Sequence, residues 1–163
     1  MNLLKESTCK DSRNIGNYIQ HCYLNFDEPL RLIKLFVGGQ FSVDTGDFRF
    51  LLWVNDEDSN YNSFVLQDGS HLKQTMPEWD SAGFYVGRNG WSIDASVSIE
   101  YTISAMGNNL VGHGMATFGH DDNAILGYTC NGLLNSNKDI TKVALMTTGG
   151  VNFIGSMKVY EVG

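Results

Sequence analysis

Histidine and aspartate side chains are the groups in this sequence best suited to metal binding or acid–base catalysis. His113 and His120 lie in GHGMATFGHDD, where Asp121 and Asp122 directly follow the second histidine. If this stretch is a strand, the two imidazoles are separated by about 20 Å, which is too far for one metal ion. We therefore interpret the histidines as part of a polar strand face and the aspartates as part of a turn.

The acidic loop that contains Asp56, Asp58 and Asn60 is the best candidate for an ion site. These side chains occupy the first, third and fifth positions of a calcium loop. Tyr61 stands at the sixth position, where the sharp turn needs glycine, and Gln67 stands at the twelfth, where calcium needs a bidentate glutamate. A solvated acidic turn is the default interpretation, with calcium as a weak alternative.

The sequence lacks the motifs that indicate covalent or phosphate chemistry. It has no G-x-S-x-G nucleophile elbow, no H-E-x-x-H zinc motif and no glycine-rich phosphate loop before a helix. The chain has 18 acidic residues, so a pair of carboxylates in the sequence does not by itself identify a glycosidase. We expect a protein that is not an enzyme and that carries no cofactor.

Aromatic side chains suggest a different kind of site, one for sugars. Trp79 lies in an irregular stretch between predicted strands, while Tyr85 and Trp91 lie on either side of the turn signal RNG. Such rings combine an apolar face with a polar group, which suits contact with a sugar ring. Trp79, Trp91 and Tyr85 are therefore the candidate glycan-binding residues, and most other aromatic side chains are expected in the core.

Composition limits the classes of partner. The 163 residues include 11 basic and 18 acidic side chains, which gives a formal net charge of −7. This charge repels a phosphate backbone, so nucleic acid is not expected as a partner. The sequence has no apolar run long enough for a bilayer, and its first residues lack a signal-peptide core. We therefore expect no membrane partner and a protein made in a cytosol.

The cysteines suggest free thiols. Cys9, Cys22 and Cys130 are an odd number at wide spacing, which does not indicate a disulfide framework. A zinc site built from Cys9, His21 and Cys22 would lack the short C-x-x-C spacing that makes such a prediction specific. We expect buried or unreactive thiols.

The elements that position these residues are predicted to be strands. SIDASVSIEYTISA, residues 92–105, alternates apolar and polar residues, which is the period of a strand with one buried face. Turn residues separate further apolar runs, among them Gly38 and Gly39 after PLRLIKLFV. About ten strands with no convincing central helix predict an all-β antiparallel β-sandwich that is jelly-roll-like.

The N-terminal segment allows two interpretations. Ile15, Tyr18 and Ile19 fall at helical spacing, although the same stretch also alternates as a strand. We favour a strand after a loose arm and divide the chain into an N-terminal arm, residues 1–22, and a sandwich domain, residues 23–163. A short arm that orders on a neighbouring subunit is a candidate anchor, with these three residues as its attachment contacts.

Two patches of the sequence are similar to a known module. In DITKVALMTTGGVNFIGSMKVYEVG, residues 139–163, a glycine hairpin precedes Gly155-Ser156 and Val159-Tyr160. In LLWVNDEDSNY, residues 51–61, an apolar strand precedes an Asn-Asp turn and Asn-Tyr. In both patches the chain resembles a β-sandwich module of tailed-bacteriophage virion proteins, including tail fibres, spikes and exterior head proteins. The resemblance covers most of residues 26–163.

The resemblance implies a non-enzymatic structural protein displayed on a bacteriophage particle, often as a homotrimer. Tail fibres usually carry the module on a much longer polypeptide, so the length of this chain favours an exterior capsid decoration, head-fibre or tail-accessory protein. Such a protein assembles in the host cytoplasm, is located in the virion, contacts other capsid or tail proteins and forms a homo-oligomer. The alternative is a lectin-like module of a tail fibre that mediates host attachment by binding a surface glycan.

Overall fold

The chain folds into two antiparallel β-sheets that pack face to face. The computed structural model describes residues 1–70, 76–120 and 123–162. These ranges contain strands and no helix, so the predicted all-β sandwich is confirmed. In this part of the chain there is accordingly no helix long and apolar enough to cross a membrane.

The described residues form thirteen strands, more than the ten that the turn signals indicated. In chain order the strands are β1 Asn2–Cys9, β2 Arg13–Ile15, β3 Tyr18–Leu30, β4 Leu32–Val43, β5 Arg49–Val54, β6 Tyr61–Gly69, β7 Glu78–Asp80, β8 Phe84–Arg88, β9 Asp94–Ser104, β10 Leu110–Gly119, β11 Ile125–Leu134, β12 Ile140–Thr147 and β13 Val151–Glu161. Sheet A has the order β1-β13-β4-β9-β10-β11-β6-β7, and sheet B has the order β2-β3-β12-β5-β8.

The regularly alternating stretch of the sequence forms β9, inside sheet A. It pairs with β4 on one side and with β10 on the other. From Ala95 to Ile103 every second residue is buried, and the residues between them are exposed or half-buried. Ile93 continues the apolar series but is 51% exposed, because the strand begins only at Asp94.

The core between the sheets is rich in aromatic rings. Phe41, Phe50 and Phe118 contact one another with ring centroids 5.0–6.1 Å apart. Phe84 and Tyr101 form a second fully buried pair with centroids 5.3 Å apart. Contacts of this kind add about 0.5–1.5 kcal/mol per pair to the free energy gained by burial. The interleaved rings therefore fill much of the space between the two sheets.

The turn predicted at Gly38 and Gly39 is wrong. β4 continues through both glycines to Val43, and Arg31 is where the chain passes from β3 of sheet B to β4 of sheet A. Gly39 faces Gly155 of β13, and a Cβ atom on Gly39 would stand 2.3 Å from the carbonyl oxygen of Ile154. Glycine is needed here because two strands approach closely and leave no room for a side chain.

Most of residues 1–22 lie in strands of the two sheets, so this segment does not form a loose arm. β1 pairs with β13 in sheet A, while β2 pairs with β3 in sheet B. The strand interpretation of the segment after Gly16 is confirmed by β3. Ile15, Tyr18 and Ile19 are half-buried, and Tyr18 packs edge-on against Trp53 with ring centroids 5.2 Å apart. Their role in attachment stays a prediction.

The expectation of three free thiols is wrong. Cys9 of β1 and Cys22 of β3 form a disulfide with their Cα atoms 4.9 Å apart, which links sheet A to sheet B. Cys130 is free and buried, and burial raises the pKa of its thiol to about 12. Because the thiolate is the reactive form, Cys130 is poorly suited to nucleophilic chemistry.

Candidate functional site

The loop between β8 and β9 holds Trp91 outside the sandwich in an unusual backbone conformation. Trp91 has a φ of 67° and is 68% exposed. This left-handed region costs a residue other than glycine about 1–2 kcal/mol, and a bulky residue adopts it rarely. The fold therefore loses stability while keeping a large apolar ring in water, a combination typical of binding sites.

Asn89 fixes the conformation of this loop. Its side chain is fully buried, and its Oδ1 accepts a hydrogen bond from the backbone N–H of Phe48 at 2.6 Å. Its Nδ2 donates to the carbonyl oxygens of Gly46 and Ser92, both at 2.9 Å. Because both ends of the amide are bound to backbone groups, the loop is anchored directly beside Trp91.

An open pocket of about 320 Å³ lies beside Trp91. This volume is at the lower end of the ~300–1,000 Å³ range that is usual for ligand sites. The lining combines apolar residues with side chains that donate or accept hydrogen bonds. Its polar members are Asp47, Gln67, Ser70, Arg88 and His120, and Ile125 and Leu126 are among its apolar members. The pocket therefore suits a small ligand that is apolar on one side and hydroxylated on another.

An ion-pair network orients Arg88 at this pocket. Glu78 accepts hydrogen bonds from the Tyr85 hydroxyl at 2.7 Å and from Arg49 and Arg88 at 2.9 Å each. The Nε atom of Arg88 also lies 3.5 Å from a carboxylate oxygen of Asp47. The positive charge of Arg88 is thus balanced by two carboxylates, so the pocket favours hydroxyl groups over a free anion.

The three aromatic candidates lie in different elements and differ in their exposure. Trp79 lies in β7, where it is 55% exposed and packs on Phe64 with ring centroids 4.9 Å apart. Tyr85 is fully buried in β8, under the guanidinium of Arg49, whose central carbon is 4.8 Å from the ring centroid. Burial is the main reason that the pKa of Tyr85 is raised. Its ring is enclosed, so the prediction that Tyr85 stacks on a sugar is wrong.

The acidic loop does not gather calcium ligands. Asp56 forms an ion pair with Lys142 at 2.7 Å, which places an ammonium group where a metal ion would sit. Asp56 and Asn60 have φ values of 58° and 71°, so both residues serve the turn. Within the ranges that the structure describes, no three His, Cys, Asp or Glu side chains come together as a metal site. Asp58 lies in these ranges and therefore belongs to no such group. Residues 121–122, considered with the two histidines, lie outside those ranges.

Sequence reasoning identified Trp91 but missed the residues that surround it. Arg88 and Asn89 directly precede the Gly-Trp pair, so the tetrapeptide RNGW was a usable signal. Nothing in the sequence links Asp47 or His120 to this loop, because both residues come from distant parts of the chain. The Nε2 atom of His120 lies 3.0 Å from the carbonyl oxygen of Gly90, which places this histidine against the loop.

No protein-family model matches the chain, and no curated protein matches it either. The resemblance to bacteriophage virion modules therefore rests on the two sequence patches alone. The arrangement around Trp91 is consequently the main basis for a statement about function.

Proposed function

We propose that this β-sandwich is an adhesion module without enzymatic activity that binds a carbohydrate in the pocket beside Trp91. The observation that carries the proposal is the exposed indole ring, which the loop holds at a φ of 67°. A sugar ring has a face of C–H groups that can pack on indole and a rim of hydroxyl groups that needs hydrogen-bond partners. The pocket beside Trp91 offers both kinds of contact.

The polar side chains of the pocket support a neutral sugar as the ligand. Asp47 can accept from hydroxyl groups, Arg88 can donate to them, and the Gln67 amide can do both. Arg88 is already paired with Glu78 and Asp47, so it offers no uncompensated positive charge. The net charge of −7 likewise disfavours an acidic glycan.

A glycan array tests this proposal with the wild type and two variants. Trp91→Ala should weaken saturable binding by about tenfold or more, because it removes the stacking surface. Ile93→Ala is the matched control, since it truncates another exposed apolar residue close to the same loop, 51% exposed. The proposal is wrong if no glycan of a broad array binds, or if Trp91→Ala binds as the wild type does.

We propose as a second role that the module is attached to a tailed-phage particle as a capsid decoration, head-fibre or tail-accessory protein. The two similar sequence patches support this role, and so does β1. This strand ends sheet A, and its Leu3 and Leu4 are 49% and 38% exposed. An outer strand of this kind can pair with a strand of another virion protein or of a second copy in a homo-oligomer.

Purified particles provide the test of this second role. Mass spectrometry of phage particles whose genome encodes this chain should find it among the structural proteins. A paired change, Leu3→Asp with Leu4→Asp, should lower the number of copies per particle, because buried charges disfavour a strand interface. Particles that lack the chain would contradict the virion role. Particles that carry the double variant at wild-type copy number would contradict the use of β1 in attachment.

A further inference from the structure

The face of sheet A that points away from sheet B carries an ordered row of side chains. The strand registers place one residue from each of six neighbouring strands in line across the sheet. All six are exposed or half-buried. From β7 to β4 they are Trp79, Phe64, Asn131, His113, Thr102 and Lys34. We call this set the cross-strand row.

One end of the cross-strand row is an aromatic platform. Trp79 is 55% exposed, and its ring packs on Phe64 with centroids 4.9 Å apart and an interplanar angle of 47°. Phe64 thus supports the indole from within the sheet and limits its orientations. The backbone carbonyl of Trp79 accepts a hydrogen bond from Arg49 at 3.0 Å, which fixes β7 independently of the indole.

The rest of the cross-strand row is polar and electrically balanced. Asn131, His113 and Thr102 present an amide, an imidazole and a hydroxyl on three adjacent strands, and all three line an open depression of about 320 Å³. Lys34 lines the same depression and pairs with Glu100 at 2.5 Å. The row therefore offers hydrogen-bond donors and acceptors without an unpaired positive charge.

These features fit a neutral sugar polymer lying across the strands. Neighbouring strands are ~4.8 Å apart, close to the length of one sugar unit, so consecutive sugars would meet consecutive strands over ~24 Å. An acidic polymer fits less well, because the chain has a net charge of −7. A second copy of the chain fits less well, because a single row is narrow compared with the ~800 Å² per partner of a stable interface.

We propose that the cross-strand row is a second carbohydrate site, one that binds a neutral linear polysaccharide in a manner dependent on chain length. The proposal takes its ligand class from the proposed function. It uses none of the residues that line the pocket beside Trp91. Trp79 stacks on one sugar of the polymer, and Asn131, His113 and Thr102 bind hydroxyl groups of the sugars that follow.

A length series of oligosaccharides tests the second site. The probes are the di-, tetra- and hexasaccharides of cellulose, xylan and mannan, measured by isothermal titration calorimetry. For at least one polymer, affinity should rise by about tenfold or more from the disaccharide to the hexasaccharide, in the wild type and in Trp91→Ala. Trp79→Ala should abolish this rise. Ile154→Ala, which truncates a 69% exposed side chain of β13 outside the row, should retain it.

The outcomes separate the two carbohydrate sites. If Trp91→Ala loses all binding and Trp79→Ala loses none, the cross-strand row is not a site and the pocket beside Trp91 stands. If Trp79→Ala loses the length dependence and Trp91→Ala binds every probe as the wild type does, the cross-strand row is a site and the pocket beside Trp91 is not. Affinity that does not change with chain length overturns the row, and an absence of binding to every probe overturns it as well. Thermal unfolding of Trp79→Ala verifies that the variant is folded.

Discussion

Acid should destabilise this protein through one buried histidine. His21 of β3 is 2% exposed, and its Nε2 lies 2.8 Å from the hydroxyl oxygen of Thr147. The Thr147 hydroxyl donates to the carbonyl of Gly149 at 3.1 Å, so Nε2 carries the ring hydrogen and donates. Nδ1 has no hydrogen-bond partner among the described residues, so an added proton would find no acceptor.

The size of the effect follows from proton linkage. Burial lowers the pKa of His21 from 6.5 to about 4, so the unfolded chain takes up a proton first as the pH falls. The contribution of neutral His21 to stability is therefore complete above pH 6.5 and is lost as the pH falls toward 4. From about pH 7.5 to about pH 5 the expected loss is about 2 kcal/mol, out of about 3 kcal/mol in full.

Urea unfolding at these two pH values measures this loss. His21→Gln keeps a donor for Thr147 but cannot be protonated, so its free energy of unfolding should fall by about 2 kcal/mol less than that of the wild type. His113→Gln is the matched control, because His113 lies on the exposed face of β10. If the wild type and His21→Gln lose the same free energy between the two pH values, His21 is not a neutral buried histidine.

Three further predictions concern a strand contact, the Trp91 loop and the disulfide. Gly39→Ala should lower the free energy of unfolding by about 3 kcal/mol, because two strands must separate. Gly38→Ala is the control and should change it little, since a Cβ there would lie 4.0 Å from the nearest atom, the carbonyl oxygen of Val97. Equal effects of the two changes in urea unfolding would contradict this account. Trp91→Gly should raise the free energy of unfolding by up to about 1 kcal/mol, because glycine tolerates a positive φ, while binding in the pocket beside Trp91 is lost; a clear decrease in thermal stability would refute it. The Cys9–Cys22 bond closes a loop with a sequence separation of 13, so its reduction should lower the free energy of unfolding by about 3 kcal/mol. An unchanged melting temperature in reductant would show that the bond contributes nothing.

The alternation of residue types predicted the fold because burial of one strand face is a local property. The apolar series from Ala95 to Ile103 in the sequence is the buried series of β9. Gly39 was misread because its need for glycine arises from Gly155, which lies in a distant part of the chain. A sequence does not distinguish a glycine in a turn from one that faces another strand, since the partner strand is not visible in the neighbouring residues.

Only part of the candidate site could be predicted, because most of its contacts come from residues that are distant in the sequence. Trp91 follows a turn signal directly, so its exposure could be anticipated from its neighbours. The burial of Tyr85 depends on Arg49 and Glu78, which come from other strands. The pairing of Cys9 with Cys22 likewise depends on how the edges of the two sheets meet, and no residue between them reports that geometry.

The three tryptophans occupy three different environments. Trp53 is 4% exposed in the core, Trp79 is 55% exposed on β7, and Trp91 is 68% exposed in its loop. An indole in water fluoresces at longer wavelength than one in a core and is open to collisional quenchers, so the rings differ spectroscopically. Variants that retain a single tryptophan would report separately on the core, the cross-strand row or the loop. The molecule thus carries its own optical probes, so that unfolding and the proposed binding of sugars can be followed without any attached dye.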